Sequence, residues 1–284
     1  FNCFGKTADD GGGYLLSATD PEGKWTLTKL PRGFYDPGFF QDDDGTLYCV
    51  YGNGTIYVAK LDDNFNLVEE HKVITKQNLE GNHMFKKDGY YYIYSTCCAY
   101  PATQWCYRSK SVFGNYEEKE VFDQNAIHQG QIIRTQSGEW WTMLMKDNGP
   151  LGRMPWLEPV KWTNGWPVIG DNGKAHTAYQ KAPDVGRIYR TTYLPTNDAF
   201  ADYKLGKQWQ WNHNADASCY SLFERSGFLR LHTASVTDSL LKARNTLTQR
   251  ILGFHGDSNI SLGTVAPDVR HTGAGDCAGL SGFL

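Results

Sequence analysis

The feature that most constrains this chain is a repeated β-hairpin pattern whose turns are marked by Gly45, Gly89 and Gly138. These glycines are 44 and 49 residues apart, and an apolar, aromatic-rich run follows each of them. Runs of this kind favour β-strands, because β-branched and aromatic side chains fit a pleated, half-buried surface. A period of this length with one hairpin in each unit is typical of the blades of a β-propeller.

Each repeat also opens on an ionisable residue. Asp36, Glu80 and His128 stand nine, nine and ten residues before the turn glycine of their own repeat. The polar residue therefore begins the first strand of each predicted hairpin. Since the first strands of propeller blades line the central channel, the pattern predicts that these three side chains converge on one axis.

The repeat does not extend over the whole chain, and the sequence predicts an all-β protein with two domains. We expect a β-propeller over 1–175, a linker over 176–195 and a β-sandwich over 196–284. The linker is polar and irregular, and the short strand-like runs after it lack the rhythm of the blades. About three and a half repeats, followed by a short sandwich, lead us to expect a chain that is cut at both ends.

Composition excludes several classes of partner. The formal net charge is −3 and the pI is near 6.3, which argues against nucleic acid, and no cluster of Lys and Arg contradicts this. No apolar run approaches the length of a membrane helix. Aromatic residues make up 14% of the chain, a share that suits sugar-binding surfaces, where an aromatic face meets the apolar face of a pyranose.

The cysteines do not form the pattern of a disulfide framework or a zinc site. There are seven, an odd number, and no Cys-x-x-Cys spacing occurs, although Cys97 and Cys98 are adjacent. We therefore expect free, mostly buried thiols, which favour a reducing compartment. The sequence leaves both a cytoplasmic and a secreted location open, and it does not decide the oligomeric state.

Three motifs together carry a resemblance to a known family. They are YDPGFFQDDDG at 35–45, EGNHMFKKDGYYYIYS at 80–95 and HQGQIIRTQSGEWW at 128–141. These resemble successive blades of glycoside hydrolase family 43, and the run from 202 to 284 resembles the β-sandwich of its xylosidase-type branch. The resemblance implies a five-bladed propeller whose first blade is missing from this chain. It also implies β-xylosidase or α-L-arabinofuranosidase activity.

The resemblance further implies an inverting mechanism that uses three carboxylates. Glu80 matches the general acid that protonates the leaving oxygen, and Asp36 matches the residue that orients this acid and favours its protonated form. Taken alone, Asp36 in Asp-Pro-Gly would read as a plain turn residue and Glu80 as a solvated strand end. The family's catalytic base has no counterpart here, and we expect it upstream of Phe1.

Other residues match positions that bind the sugar. Arg153 matches an arginine that contacts the sugar, and Tyr35 matches an aromatic residue beside it. His128 matches a histidine at the floor of the channel, where some family members hold calcium through water. Because Ca²⁺ prefers oxygen ligands, direct coordination by His128 is not expected. Gln104 is a candidate for the entrance of the pocket.

The sequence therefore predicts an exo-acting glycoside hydrolase that releases xylose, L-arabinose or both from xylo- or arabino-oligosaccharides. Two alternatives stay open. A non-catalytic propeller–sandwich that binds carbohydrate would account for the missing base. A purely structural propeller would account for the repeat, but not for an ionisable residue at the start of three successive first strands.

Overall fold

The structure is a computed structural model, and it describes residues 13–30, 32–99, 101–124, 126–148, 152–179, 186, 195–213, 215–249 and 263–282. The chain divides into two compact units after Gly186. The domain boundaries expected at 175 and 196 stay predictions. Within the described ranges, no helix has the length and apolar character needed to cross a membrane.

Antiparallel sheets that follow one another along the chain build the first unit. A two-stranded sheet comes first, with β1 (Tyr14–Ser17) and β2 (Thr26–Lys29). The next sheet has β3 (Gly38–Gln41), β4 (Leu47–Asn53), β5 (Thr55–Leu61) and β6 (Leu67–Thr75). It is followed by β7 (Leu79–Lys87), β8 (Tyr90–Cys97), β9 (Thr103–Ser109) and β10 (Glu117–Phe122). The last has β11 (His128–Arg134), β12 (Trp140–Asp147), β13 (Arg153–Thr163) and β14 (Trp166–Ile169).

In each four-stranded sheet, strands that are neighbours in the chain are also hydrogen-bonded neighbours. A four-stranded antiparallel meander of this kind is one blade of a β-propeller. The prediction of a repeated blade is therefore confirmed, with three complete four-stranded sheets within the described residues. The hairpins that carried the sequence repeat are β3–β4, β7–β8 and β11–β12, the first two strands of each sheet.

Turn chemistry fixes the register of these hairpins. Asp88 and Gly89 form the two-residue loop between β7 and β8, where Lys87 pairs with Tyr90. Both loop residues have positive φ, 51° and 75°. This is the type I′ turn whose twist matches that of the flanking strands, and Asp-Gly is among its preferred sequences. Every side chain of the hairpin therefore has a defined face of the sheet.

Hydrophobic side chains fill the space between successive sheets. The cluster between the first and second complete blades includes Val50, Ile56, Val58, Met84 and Ile93, of which only Met84 is exposed at all, at 1%. The next cluster, between the second and third blades, contains Tyr92, Tyr94, Ile132, Leu144 and Ile169. Blade faces are thus covered on both sides, which explains why central strands such as 90–94 are almost continuously apolar.

The second unit contains short antiparallel pairs. β15 (Trp209–Trp211) pairs with β18 (Leu247–Gln249), and β16 (Tyr220–Ser221) pairs with β17 (Arg230–Leu231). Two short 3-10 helices, Ala217–Cys219 and Leu240–Lys242, lie between these strands in the chain. The six described cysteines are all free, as the sequence led us to expect. Of these six, only Cys49 and Cys106 are buried, so the expectation of mostly buried thiols is wrong.

Candidate active site

Asp36 and Glu80 lie close together where the first strands of two neighbouring blades begin. Asp36 precedes β3 by two residues, and Glu80 is the second residue of β7. The backbone N–H of Gly81 donates to Asp36 Oδ2 at 3.2 Å, so the chain beside Glu80 is bonded directly to the Asp36 carboxylate. The nine-residue offset before each turn glycine predicts both residues at the start of a first strand, and the fold brings them together there.

Three donors hold the Glu80 carboxylate. The Tyr35 hydroxyl donates to Oε2 at 3.0 Å, and the Asn53 side-chain amide donates to the same oxygen at 2.8 Å. The Cys98 thiol donates to Oε1 at 3.1 Å. These three residues come from the segment before β3, the end of β4 and the residue after β8. The carboxyl group is therefore oriented by three separate parts of the propeller.

The electrostatics of the site act on Asp36. Burial raises the pKa of the Asp36 carboxyl, and the negative charge of Glu80 raises it further. The Gly81 N–H bond and the positive charge of Arg153 oppose this rise without cancelling it. A second carboxylate in a partly desolvated pocket disfavours ionisation in this way in other proteins too. A carboxyl whose pKa is shifted by a second carboxyl nearby is typical of acid–base sites.

Arg153 is the first residue of β13 and faces the same group of residues. Its Nη1 donates to Gln129 Oε1 at 3.4 Å, and its Nε lies 3.5 Å from Asp147 Oδ1. The Arg153 side chain keeps 66% of its surface exposed. An ion pair as exposed as that with Asp147 contributes little to stability, so the arginine is better suited to contact a ligand than to hold the fold.

His128 begins β11 and is buried, with 8% of its surface exposed. Its Nδ1 lies 2.7 Å from the carbonyl oxygen of Ala126, which requires the proton on Nδ1. Among the residues that the structure describes, no group of three or more His, Cys, Asp or Glu side chains is arranged to hold a metal. A calcium ion held through water near His128 stays a prediction.

Gln104 lies inside the protein rather than at an entrance. It is fully buried on β9, and its Oε1 accepts the Thr96 hydroxyl at 2.7 Å and the backbone N–H of Gln129 at 3.0 Å. Its surroundings therefore make it a support for Gln129, the residue after His128. We had expected a polar residue near the pocket mouth, but burial in the β8–β9 sheet was not visible from sequence.

Asn53, Cys98 and Gln129 belong to this site and were missed by the sequence reasoning. Asn53 sits in a turn-like Gly-Asn-Gly stretch and Cys98 in a cysteine pair, so neither resembles a site residue locally. Gln129 stands beside His128, which was the one available signal. All three reach the site only through the packing of separate blades.

Comparison with known proteins identifies the family. Residues 2–167 match the model of the glycosyl hydrolases family 43. The chain belongs to glycoside hydrolase family 43. Residues 197–283 match the concanavalin A-like C-terminal domain of beta-xylosidases, which confirms the β-sandwich predicted to follow the propeller in the chain.

Individual relatives agree with this assignment. The chain is 34% identical to a putative beta-xylosidase of Xylanibacter ruminicola over 274 residues, covering 89% of this chain and 52% of that protein. It is 25% identical over 291 residues to a non-reducing end alpha-L-arabinofuranosidase of Bacteroides ovatus, covering 93% and 54%. The crystal structure of a xylan beta-1,4-xylosidase from Bacillus halodurans matches with a TM-score of 0.76 at 28% identity, covering 87% and 54%. The chain thus spans about half the length of these family 43 relatives.

Proposed function

We propose that the protein is an exo-acting glycoside hydrolase that releases xylose, L-arabinose or both from xylo- or arabino-oligosaccharides with inversion. The observation that carries the proposal is the pairing of Asp36 and Glu80 at the start of two neighbouring first strands. Membership of family 43 and the names of the relatives support it. Two neighbouring carboxyls beside an exposed arginine suit a neutral sugar whose leaving oxygen needs a proton.

In this proposal Glu80 donates a proton to the glycosidic oxygen as the bond to the anomeric carbon breaks. Tyr35 and Asn53 both donate to Oε2, so Oε1 is the oxygen left to carry the proton. The Cys98 thiol beside Oε1 is a weak donor and competes little with that proton. Inverting enzymes need a water between the acid and a base about 6.5–9.5 Å away. We assign no residue of this chain as that base.

Asp36 and Arg153 have supporting roles. Asp36 accepts from the backbone N–H of Gly81 and so helps to position the neighbouring acid Glu80. Arg153 would donate to hydroxyl groups of the bound sugar, since its guanidinium presents five donors in a fixed plane. A calcium ion held through water near His128 remains part of the prediction, and no step of the mechanism depends on it.

The test is hydrolysis of an aryl β-D-xylopyranoside and an aryl α-L-arabinofuranoside by the full-length protein, including any residues that precede Phe1, followed by proton NMR. Inversion predicts that the α-anomer of xylose appears first from the β-xyloside. First release of the β-anomer would contradict the mechanism. Binding of xylo-oligosaccharides by calorimetry without any release of sugar would instead favour the alternative of a non-catalytic carbohydrate-binding protein.

A further inference from the structure

Gln129 has a backbone conformation that ordinarily favours glycine. Its φ is +47°, and it lies where the register of β11 against β12 shifts between His128 and Gln131. The preceding blade has the same irregularity between Glu80 and His83, and there the residue after Glu80 is Gly81, with φ +64°. Two blades thus share one bulge, but only one of them uses the residue type that fits it without strain.

The neighbouring blade holds the Gln129 backbone in this conformation. Its N–H donates to Thr96 Oγ1 at 2.8 Å and to Gln104 Oε1 at 3.0 Å. Thr96 and Gln104 are both fully buried. Strained residues persist when their surroundings over-determine them, and they cluster at functional sites. The buried pair on β8 and β9 is such a surrounding.

The Gln129 side chain connects the two charged groups of the candidate site. Its Nε2 donates to Asp36 Oδ2 at 3.4 Å, and its Oε1 accepts from Arg153 Nη1 at 3.4 Å. A carboxylate only accepts and a guanidinium only donates, so a single amide orientation satisfies both. The side chain also packs over Gly81, where an added Cβ would lie 2.7 Å from Gln129 Cγ.

We propose that Gln129 is a positioning residue whose amide sets the placement of Asp36 and Arg153, and that the left-handed backbone is retained for this purpose. Glycine at this position would relax the backbone but remove the bridge. The inference rests on the proposed function, because the placement of Asp36 and Arg153 matters for turnover only if the site hydrolyses glycosides.

Two substitutions separate positioning from a purely structural role. Gln129→Gly should leave the Tm unchanged or raise it, while kcat/KM on xylobiose falls at least about tenfold, since misplacement of catalytic groups is costly. Gln129→Met keeps the strained backbone and the side-chain length but loses both polar contacts, so kcat/KM should fall similarly without a gain in Tm. The matched control is Asn164→Gly in the β13–β14 turn, where φ is +52°. Because Asn already suits the left-handed conformation of an Asn-Gly turn, that variant should leave both the Tm and kcat/KM nearly unchanged.

A second readout does not depend on activity. In protein carrying ¹³C-labelled aspartate, the Asp36 carboxyl should titrate at higher pH in Gln129→Met than in the wild type, because a donor to its ionised form is lost. The titratable and charged groups around Asp36 are Glu80, Arg153, Tyr35 and Cys98, and none of them is changed. If the wild type cleaves no glycoside but this shift appears, the proposed function fails while the placement of Asp36 by Gln129 stands.

Two results would overturn the inference. The first is full kcat/KM in Gln129→Gly together with an unchanged Asp36 titration in Gln129→Met. The second is a parallel loss of Tm and activity in Gln129→Gly, which would mark a structural role only.

Discussion

The contact between Cys98 and Glu80 predicts an unusual thiol. Cys98 is exposed, yet its pKa is raised from 9.0 to about 12, first by desolvation of the thiol and then by the hydrogen bond to Glu80 and the charge of Glu80. Only the thiolate reacts with alkylating reagents and disulfides. Cys98 should therefore react slowly although solvent reaches it.

The magnitude follows from the shift in pKa. At pH 8, a rise in pKa of this size lowers the thiolate fraction about 10³-fold. A more basic thiolate is also more nucleophilic, which raises the rate constant of the thiolate about 15- to 30-fold. The net expectation is that Cys98 labels about 30- to 60-fold more slowly than an ordinary thiol. Because solvent screens the charge of Glu80 at this exposed position, the rate reduction should be smaller, but still about tenfold or more. The assay is iodoacetamide labelling at pH 8, followed at Cys98 by mass spectrometry, with glutathione as the reference thiol.

Substitution of the partner tests the cause. Glu80→Gln removes the charge and keeps the side-chain size, so labelling of Cys98 should become several-fold faster, although the desolvation remains. Glu69→Gln on the outer strand β6 is the control and should not change the rate. The reasoning is refuted if wild-type Cys98 reacts as fast as glutathione, or if Glu80→Gln labels no faster than Glu69→Gln.

Two further predictions concern stability. Since the pKa of Asp36 is raised in the folded state, ionising it costs stability as pH rises from about 3.9 through the raised value. Asp36→Asn should therefore raise the Tm more at pH 7 than at pH 4 in calorimetry, and an equal change at both would contradict this. Leu144 is 1% exposed in the core, so Leu144→Ala should lower the free energy of unfolding by about 2–5 kcal/mol in urea. Its neighbour Met143 is 48% exposed, and equal losses for Met143→Ala and Leu144→Ala would be evidence against this core.

The blades could be predicted because their signals are local. The Asp88–Gly89 turn fixes the β7–β8 hairpin from two adjacent residues, and the nine-residue offset places Glu80 at the start of β7. The strand bounds were predicted less accurately. Asp36 was expected to begin the first strand of its hairpin, but β3 begins two residues after it.

The rest of the site depends on contacts between distant parts of the chain. Asn53 and Cys98 reach Glu80 from 27 and 18 residues away, and neither carries a local mark of this role. Gln104 was expected at an entrance, but the pairing of β8 with β9 buries it. The positive φ of Gln129 follows from a bulge in strand pairing, which a single sequence does not reveal.

The most direct test of the account is the dependence of the Glu80→Gln loss on the leaving group. The substitution keeps an acceptor oxygen for Tyr35 and Asn53, and it removes the carboxyl proton that Glu80 donates in the proposed mechanism. For xylobiose, kcat should fall by about 10²–10⁴-fold, or roughly 2.7–5.4 kcal/mol. For a nitrophenyl xyloside, whose leaving oxygen needs no proton, the loss should be much smaller. Equal losses on the two substrates, with the Tm unchanged, would show that Glu80 is not the proton donor.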